Sequence, residues 1–309
     1  MRWSIESWDP SYGTPGEAAE LEESSGDVVV DVEVQPGDWA PRDVDVAVSP
    51  PAVIVFVDGV RRVDARAWIE AGDGSVAPGL CATYAAGAVR CGARAELAGV
   101  LVERGLFTAS PLATDVVTRA GTYPLRTVGS SRLEALPLAL QARMGELEAA
   151  AAEAACGAGC DLLVVDGPLR GRGHLPNSVG YVKTHHVAYL PPAQHSVVGA
   201  LLPGQRTPLF ATGTAFSRYA WYLRLPAAGQ QPTPWAGVVR CEVSAHLSVA
   251  AAAELADRAS AVLPRFASEP HKEPRAPQNL YPIAGLEREL RRRLGDEALL
   301  YRALRLAAA

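Results

Sequence analysis

Two carboxylates end runs of β-branched and other apolar residues. The first run is Val53-Ile54-Val55-Phe56-Val57-Asp58-Gly59, and the second is Leu162-Leu163-Val164-Val165-Asp166-Gly167-Pro168-Leu169. Such runs suit strands buried on both faces. The glycine after each Asp lets the backbone turn sharply. Like charges a few Å apart raise one another's pKa unless a cation lies between them. If the two strands are neighbours, the pair therefore predicts a divalent metal site. Asp-Gly is also a common turn pair, so either motif alone reads as a turn. Both together, with Pro168 fixing the second exit, favour a site.

The chemistry that suits such a site is phosphodiester hydrolysis, in which two metals about 4 Å apart activate water and clamp the phosphate. Mn²⁺ or Mg²⁺ fits the hard oxygen ligands. A third carboxylate is needed, and the segment before the second run offers Glu146, Glu148 and Glu153. Glu148 lies one residue after Leu147 and four after Met144, at the edge of an apolar helix face. It is the expected third ligand, with Glu146 second.

Lys183 is one of only two lysines and begins an apparent strand soon after Asp166. It could hold a phosphate or orient the attacking water; the alternative is a solvated strand-end lysine. Of His185 and His186, at most one can face the site, because neighbouring strand residues point opposite ways. Arg170, Arg172 and His174 stand in a Gly-rich loop, which reads equally as a DNA-backbone contact or a solvated loop. Tyr219, Trp221 and Tyr222 read as core rather than as a base-stacking platform.

These groups need elements to position them. Residues 53–70 predict a strand, a turn at Asp58-Gly59 and a second strand; residues 79–90 predict a third. Residues 96–103 continue as strand or open a helix. Leu133, Leu136, Leu140, Met144 and Leu147 recur at helical spacing and predict a helix over 133–155, with Ser131 and Glu134 as its capping box. Further helices are expected at 248–263 and 286–306. Residues 1–50 are acidic and turn-rich, with a short helix over 16–23 and an edge strand over 28–34, and read as an N-terminal arm. The rest, 51–309, reads as one domain. A strand meander, a helix and then a strand ending in Asp is the order of an α/β, ribonuclease H-like mixed sheet flanked by helices. In that fold the first and fourth strands lie side by side.

Composition bounds the reading. The 309 residues are 49% hydrophobic and 20% charged, enough to bury a core and too apolar for a disordered chain. No apolar run reaches membrane-spanning length, and the N-terminus lacks a signal-peptide core, so the default expectation is a cytoplasmic protein with no membrane partner. The net charge of −5 argues against nucleic acid only at the level of the whole surface. Five cysteines, an odd number, predict free thiols; Cys156 and Cys160 are read as small residues at a helix end before a zinc half-site.

The ordered set of motifs resembles the NurA nuclease family. The matching pieces are Val57-Asp58-Gly59, Leu147-Glu148, Val165-Asp166-Gly167-Pro168-Leu169, Gly180-Tyr181-Val182-Lys183-Thr184 and the closing stretch from Glu273 to Ile283, which contains Pro-Gln-Asn-Leu-Tyr-Pro-Ile. They run from about residue 53 to 290. The resemblance implies a Mn²⁺-dependent (or Mg²⁺-dependent) DNA nuclease with single-strand endonuclease and 5′→3′ exonuclease activity. It implies a homodimer working with a HerA-type hexameric translocase in DNA end processing, repair or defence. It makes Asp58, Glu148 and Asp166 metal ligands and Tyr281 a supporting active-site residue. Family members often carry a His shortly after that Tyr; here Leu286, Glu287 and Arg288 stand instead, and His271 is the nearest His. An actin-like or sugar-kinase-like ATPase would need Gly-rich phosphate loops in two similar halves. A catalytically silent regulatory subunit of a translocase would keep the fold alone. A P-loop ATPase is excluded by the missing motif.

Overall fold

The computed structural model describes residues 22–23, 27–44, 49–70, 74–157, 159–169, 171–185, 187–213, 217–227 and 235–308. Two short strands, β1 (Glu22–Glu23) and β2 (Asp27–Val29), precede three long ones, β3 (Ile54–Glu70), β4 (Val76–Cys91) and β5 (Ala95–Thr108). Three short strands follow, β6 (Val116–Thr118), β7 (Gly121–Tyr123) and β8 (Leu125–Thr127), and then helix α1 (Ala135–Cys156). Next are β9 (Leu162–Asp166), β10 (Ser178–Val182), β11 (Val187–Ala188), α2 (Pro192–Ala200), β12 (Phe210–Gly213), β13 (Arg218–Arg224) and β14 (Val238–Ser244). The chain closes with α3 (Val249–Val262), α4 (Tyr281–Arg293) and α5 (Glu297–Ala307).

The main sheet is mixed and ten-stranded, in the order β2-β12-β13-β14-β10-β9-β3-β4-β5-β8. The strand after α1 thus lies beside the first meander strand, as the order of elements predicts. β9 and β10 run parallel, with Ser178 opposite Leu163 and Tyr181 opposite Asp166. β10 and β14 run antiparallel, with Gly180 opposite Glu242. Among the described residues no helix is long and apolar enough to cross a membrane.

The chain divides into two compact units. Unit 1 holds residues 1–56, 91–95 and 158–284. Its core joins Leu190, Val198, Phe210, Tyr222, Trp235 and Val238. Unit 2 holds residues 57–90, 96–157 and 285–309. There the apolar face of α1 buries Leu136, Leu140, Met144 and Leu147 against Leu80, Ala82, Tyr84 and Phe107. This is the face that the periodicity of 133–155 predicts.

Several local expectations are corrected. No turn interrupts Asp58-Gly59: β3 runs unbroken for 17 residues, so Asp58 lies within a strand rather than at its end. Gly59 does not take a positive φ, and the strand simply continues through it. The Ser131–Glu134 capping box does not form; Glu134 itself is the N-cap of α1 and makes no side-chain cap bond. Residues 96–103 are strand throughout. The single helix expected over 286–306 is two, because Gly295 adopts φ +84° and Asp296 caps α5 by accepting from Leu299 N at 2.7 Å. Glu22–Glu23 is strand where a helix end was expected, and the rest of 16–21 lies outside the described residues. The predicted edge strand is real but short: β2 pairs with β12 at the rim of the sheet.

The cysteines are also corrected. Cys81, Cys91 and Cys241 are free and buried, whereas Cys156 and Cys160 are disulfide-bonded. Their spacing of four, with Gly159 at φ +84°, returns the chain after the helix end.

Candidate functional site

In unit 2, Asp58 is 8% exposed and directly follows the apolar run Ile54–Val57 of β3. Its Oδ1 accepts from the Gly59 N–H at 2.7 Å. Glu148 is 5% exposed and is carried on the buried side of α1. A Cβ at position 59 would sit 2.5 Å from Glu148 Oε1 and 3.0 Å from Met144 Cγ. Gly59 therefore supplies the space that the Glu148 carboxylate fills. Glu146, two residues earlier, is exposed and pairs with Arg143.

In unit 1, Asp166 ends β9, and Gly167 leaves the strand at φ +89°, a conformation glycine adopts at no steric cost. Lys183 follows the last residue of β10. Its Nζ donates to Asp166 Oδ2 at 2.7 Å and to Asn279 Oδ1 at 3.0 Å. Among the described residues nothing donates to Asp166 Oδ1, although that atom is buried. A buried carboxylate oxygen without a donor is costly unless another group completes it. The neighbouring Tyr181, fully buried, donates its hydroxyl to Gln278 O at 2.6 Å. Desolvation by burial, with the Asp166 charge beside it, pushes that phenol well above its usual range, so it stays a neutral donor.

A buried glutamate braces the loop after Asp166. Glu242 Oε1, on β14, accepts from Leu169 N at 2.6 Å. Arg218 Nε stands 2.9 Å from the other oxygen, an ion-pair distance without hydrogen-bond alignment. A Cβ on Gly180 would lie 2.8 Å from both Glu242 Cγ and Leu169 N. A glycine opposite Glu242 therefore lets that side chain pass over β10 to the loop.

The other predicted residues lie elsewhere. Tyr281 opens α4 and donates its hydroxyl to Glu269 at 2.9 Å, with the Lys272 ammonium over its ring. It makes no described bond to Asp166 or Lys183; the closing motif reaches Lys183 through Asn279. His271 is exposed, 3.8 Å from Glu269. His185 is core, against Tyr222 and Trp235, and His186 lies outside the described residues. Trp221 and Tyr222 are buried, as expected of core. Arg172 donates to Pro168 O at 2.9 Å. His174 lines a cavity of about 340 Å³ with Ser178, His246 and Arg258. The register puts Ser178 opposite Leu163, three residues or roughly 10 Å along β9 from Asp166. Arg170 lies outside the described residues.

Two polar residues escaped the sequence reading, Glu242 and Asn279. The signal for Glu242 was present: Arg240 and Glu242 alternate on one face of an otherwise apolar strand, which calls for buried partners. Asn279 stands inside the closing Pro-Gln-Asn-Leu-Tyr-Pro-Ile stretch, where only Tyr281 was expected to act.

Taken unit by unit, the Asp58 and Glu148 carboxylates of unit 2 and the Asp166 carboxylate of unit 1, one oxygen of which has no donor among the described residues, are hard oxygen groups of the kind a divalent ion takes. Among the described residues no three His, Cys, Asp or Glu side chains form one metal-ready group. No protein-family model matches this chain, and no curated protein matches it in sequence.

Proposed function

We propose that this chain is a metal-dependent deoxyribonuclease with a ribonuclease H-like sheet, cutting single strands internally and from the 5′ end. In this reading Asp58, Glu148 and Asp166 hold Mn²⁺ or Mg²⁺, and the protein works as a homodimer with a HerA-type hexameric translocase. The observation that carries it is the buried Asp166 Oδ1 without a described donor, on a carboxylate whose other oxygen receives Lys183. When bound, the divalent ion supplies an activated water and a Lewis acid for the scissile phosphate. Asp58 and Glu148 contribute carboxylate oxygens from a strand and a helix, so their positions do not depend on a loop. Lys183 offers a point charge for a phosphate oxygen. Arg170, Arg172 and His174 contact the DNA backbone and set its path.

The test is incubation of the purified protein with end-labelled single-stranded DNA and Mn²⁺, beside Asp58→Ala and Asp166→Ala. Cleavage by the wild type and its loss in both variants is the expected result. Cleavage that survives in either variant overturns the assignment.

A further inference from the structure

Lys183 has three N–H donors and no acceptor. One goes to Asp166 Oδ2 and one to Asn279 Oδ1; among the described residues the third has no partner. The Lys183 side chain is 11% exposed, and that of Asp166 16%. Asn279 is fully buried and comes from a segment 96 residues further along the chain. Because a lysine can only donate, its contact identifies Oδ1 as the amide oxygen and leaves Nδ2 as the nitrogen. Among the described residues Nδ2 makes no hydrogen bond. Among the described residues, then, only the acceptor end of Asn279 is used, and it is used on Lys183.

We infer that Asn279 is a positioning residue for Lys183. It and Asp166 hold the ammonium from two sides, which fixes the direction of the third N–H. That N–H is then directed to a phosphate oxyanion of the bound strand, and this last step rests on the nuclease reading above. Without the Asn279 oxygen the flexible four-carbon stem loses one of its two anchors, and the ammonium rotates about Asp166. The role requires an acceptor at position 279 and does not require a donor.

The acceptor requirement sets the test. Asn279→Asp keeps an acceptor, whereas Asn279→Leu has similar size and none. The chain has only two lysines, Lys183 and Lys272, so side-chain ammonium NMR of ¹⁵N-lysine-labelled protein contains at most two signals. Lys272→Arg assigns them. Expected in wild type and Asn279→Asp is a Lys183 ammonium signal protected from exchange; in Asn279→Leu it is lost, with melting temperature checked alongside. In the cleavage assay Asn279→Leu lowers kcat about 100-fold with KM for DNA unchanged, the scale of a displaced catalytic group, and Asn279→Asp restores most of it. A protected signal in folded Asn279→Leu overturns the inference, as does its loss in folded Asn279→Asp. If neither the wild type nor any variant cuts DNA, with or without the translocase, the nuclease reading fails, and the ammonium signal still decides whether Asn279 positions Lys183.

Discussion

Two glycines show how single residues shape the carboxylate positions, and they predict different outcomes. At Gly59 the atom in the way is the tip of a flexible side chain, Glu148 Oε1, with Met144 Cγ next. Gly59→Ala is expected to displace the Glu148 carboxylate while costing the fold only about 1–3 kcal/mol. Mn²⁺ binding by calorimetry should weaken at least tenfold while the variant still melts cooperatively. At Gly180 one of the two atoms in the way is backbone, Leu169 N, which cannot step aside. Gly180→Ala is expected to break the Glu242–Leu169 bond and free the loop after Asp166. Hydrogen exchange at the Leu169 amide should then rise; unchanged protection would refute the bracing role of Glu242.

At the scale of elements, unit 1 is held at its edge by an ion network. The Arg206 side chain is fully buried, with a bidentate contact to Glu33 at 2.8 and 2.9 Å and an Nε bond to Asp257 at 2.6 Å. Glu33 also accepts from Leu209 N at 2.8 Å. Glu33, from the stretch read as an N-terminal arm, thus supplies a partner for a buried charge within unit 1. Burial alone would raise the Glu33 carboxyl, but Arg206, the Leu209 amide and Arg42 outweigh it and hold it below its ordinary 4.5. The unfolded chain therefore binds this proton more readily than the folded one. The contribution is present above pH 4.5 and is lost as pH falls through the lowered folded value. Glu33→Gln should flatten the acid limb of a melting-temperature-versus-pH curve. Glu33→Ala should cost about 3–5 kcal/mol in urea unfolding, because it removes the bidentate partner of a buried guanidinium and leaves Asp257 alone to pair it. The break between α4 and α5 makes a smaller claim: Asp296→Ala removes the cap of α5 and should cost about 1 kcal/mol.

For the molecule as a whole, the cysteines give a global readout. Burial, aided by the Asp64 charge, pushes the Cys81 thiol up to about 11, and burial raises Cys91 and Cys241 as well. None of the three is a thiolate at neutral pH, so native protein should react slowly with thiol reagents. Unfolded without reductant, the chain should release three thiols, and after reduction five. A count of five before reduction would remove the Cys156–Cys160 bond.

The extent of what was legible follows from the range of each interaction. The apolar runs of β3 and β9 and the periodic leucines of α1 are local patterns, so the sequence by itself determined those elements. It also determined which side of α1 carries Glu148, because helical spacing alone sets that. The Gly295-Asp296 pair was equally local, but the apolar spacing on either side of it masked the break. The continuous β3 was not legible, because Asp-Gly favours a turn only when no neighbouring strands hold the backbone extended. The pairing of Lys183 with Asn279, the reach of Glu242 across Gly180, and the placement of Tyr281 on Glu269 instead of at Asp166 were decided only by the tertiary structure. Each joins side chains through a register or a crossing that no spacing along one segment encodes. A lone polar residue shows what it can bond, and only the fold brings its partner within 3 Å.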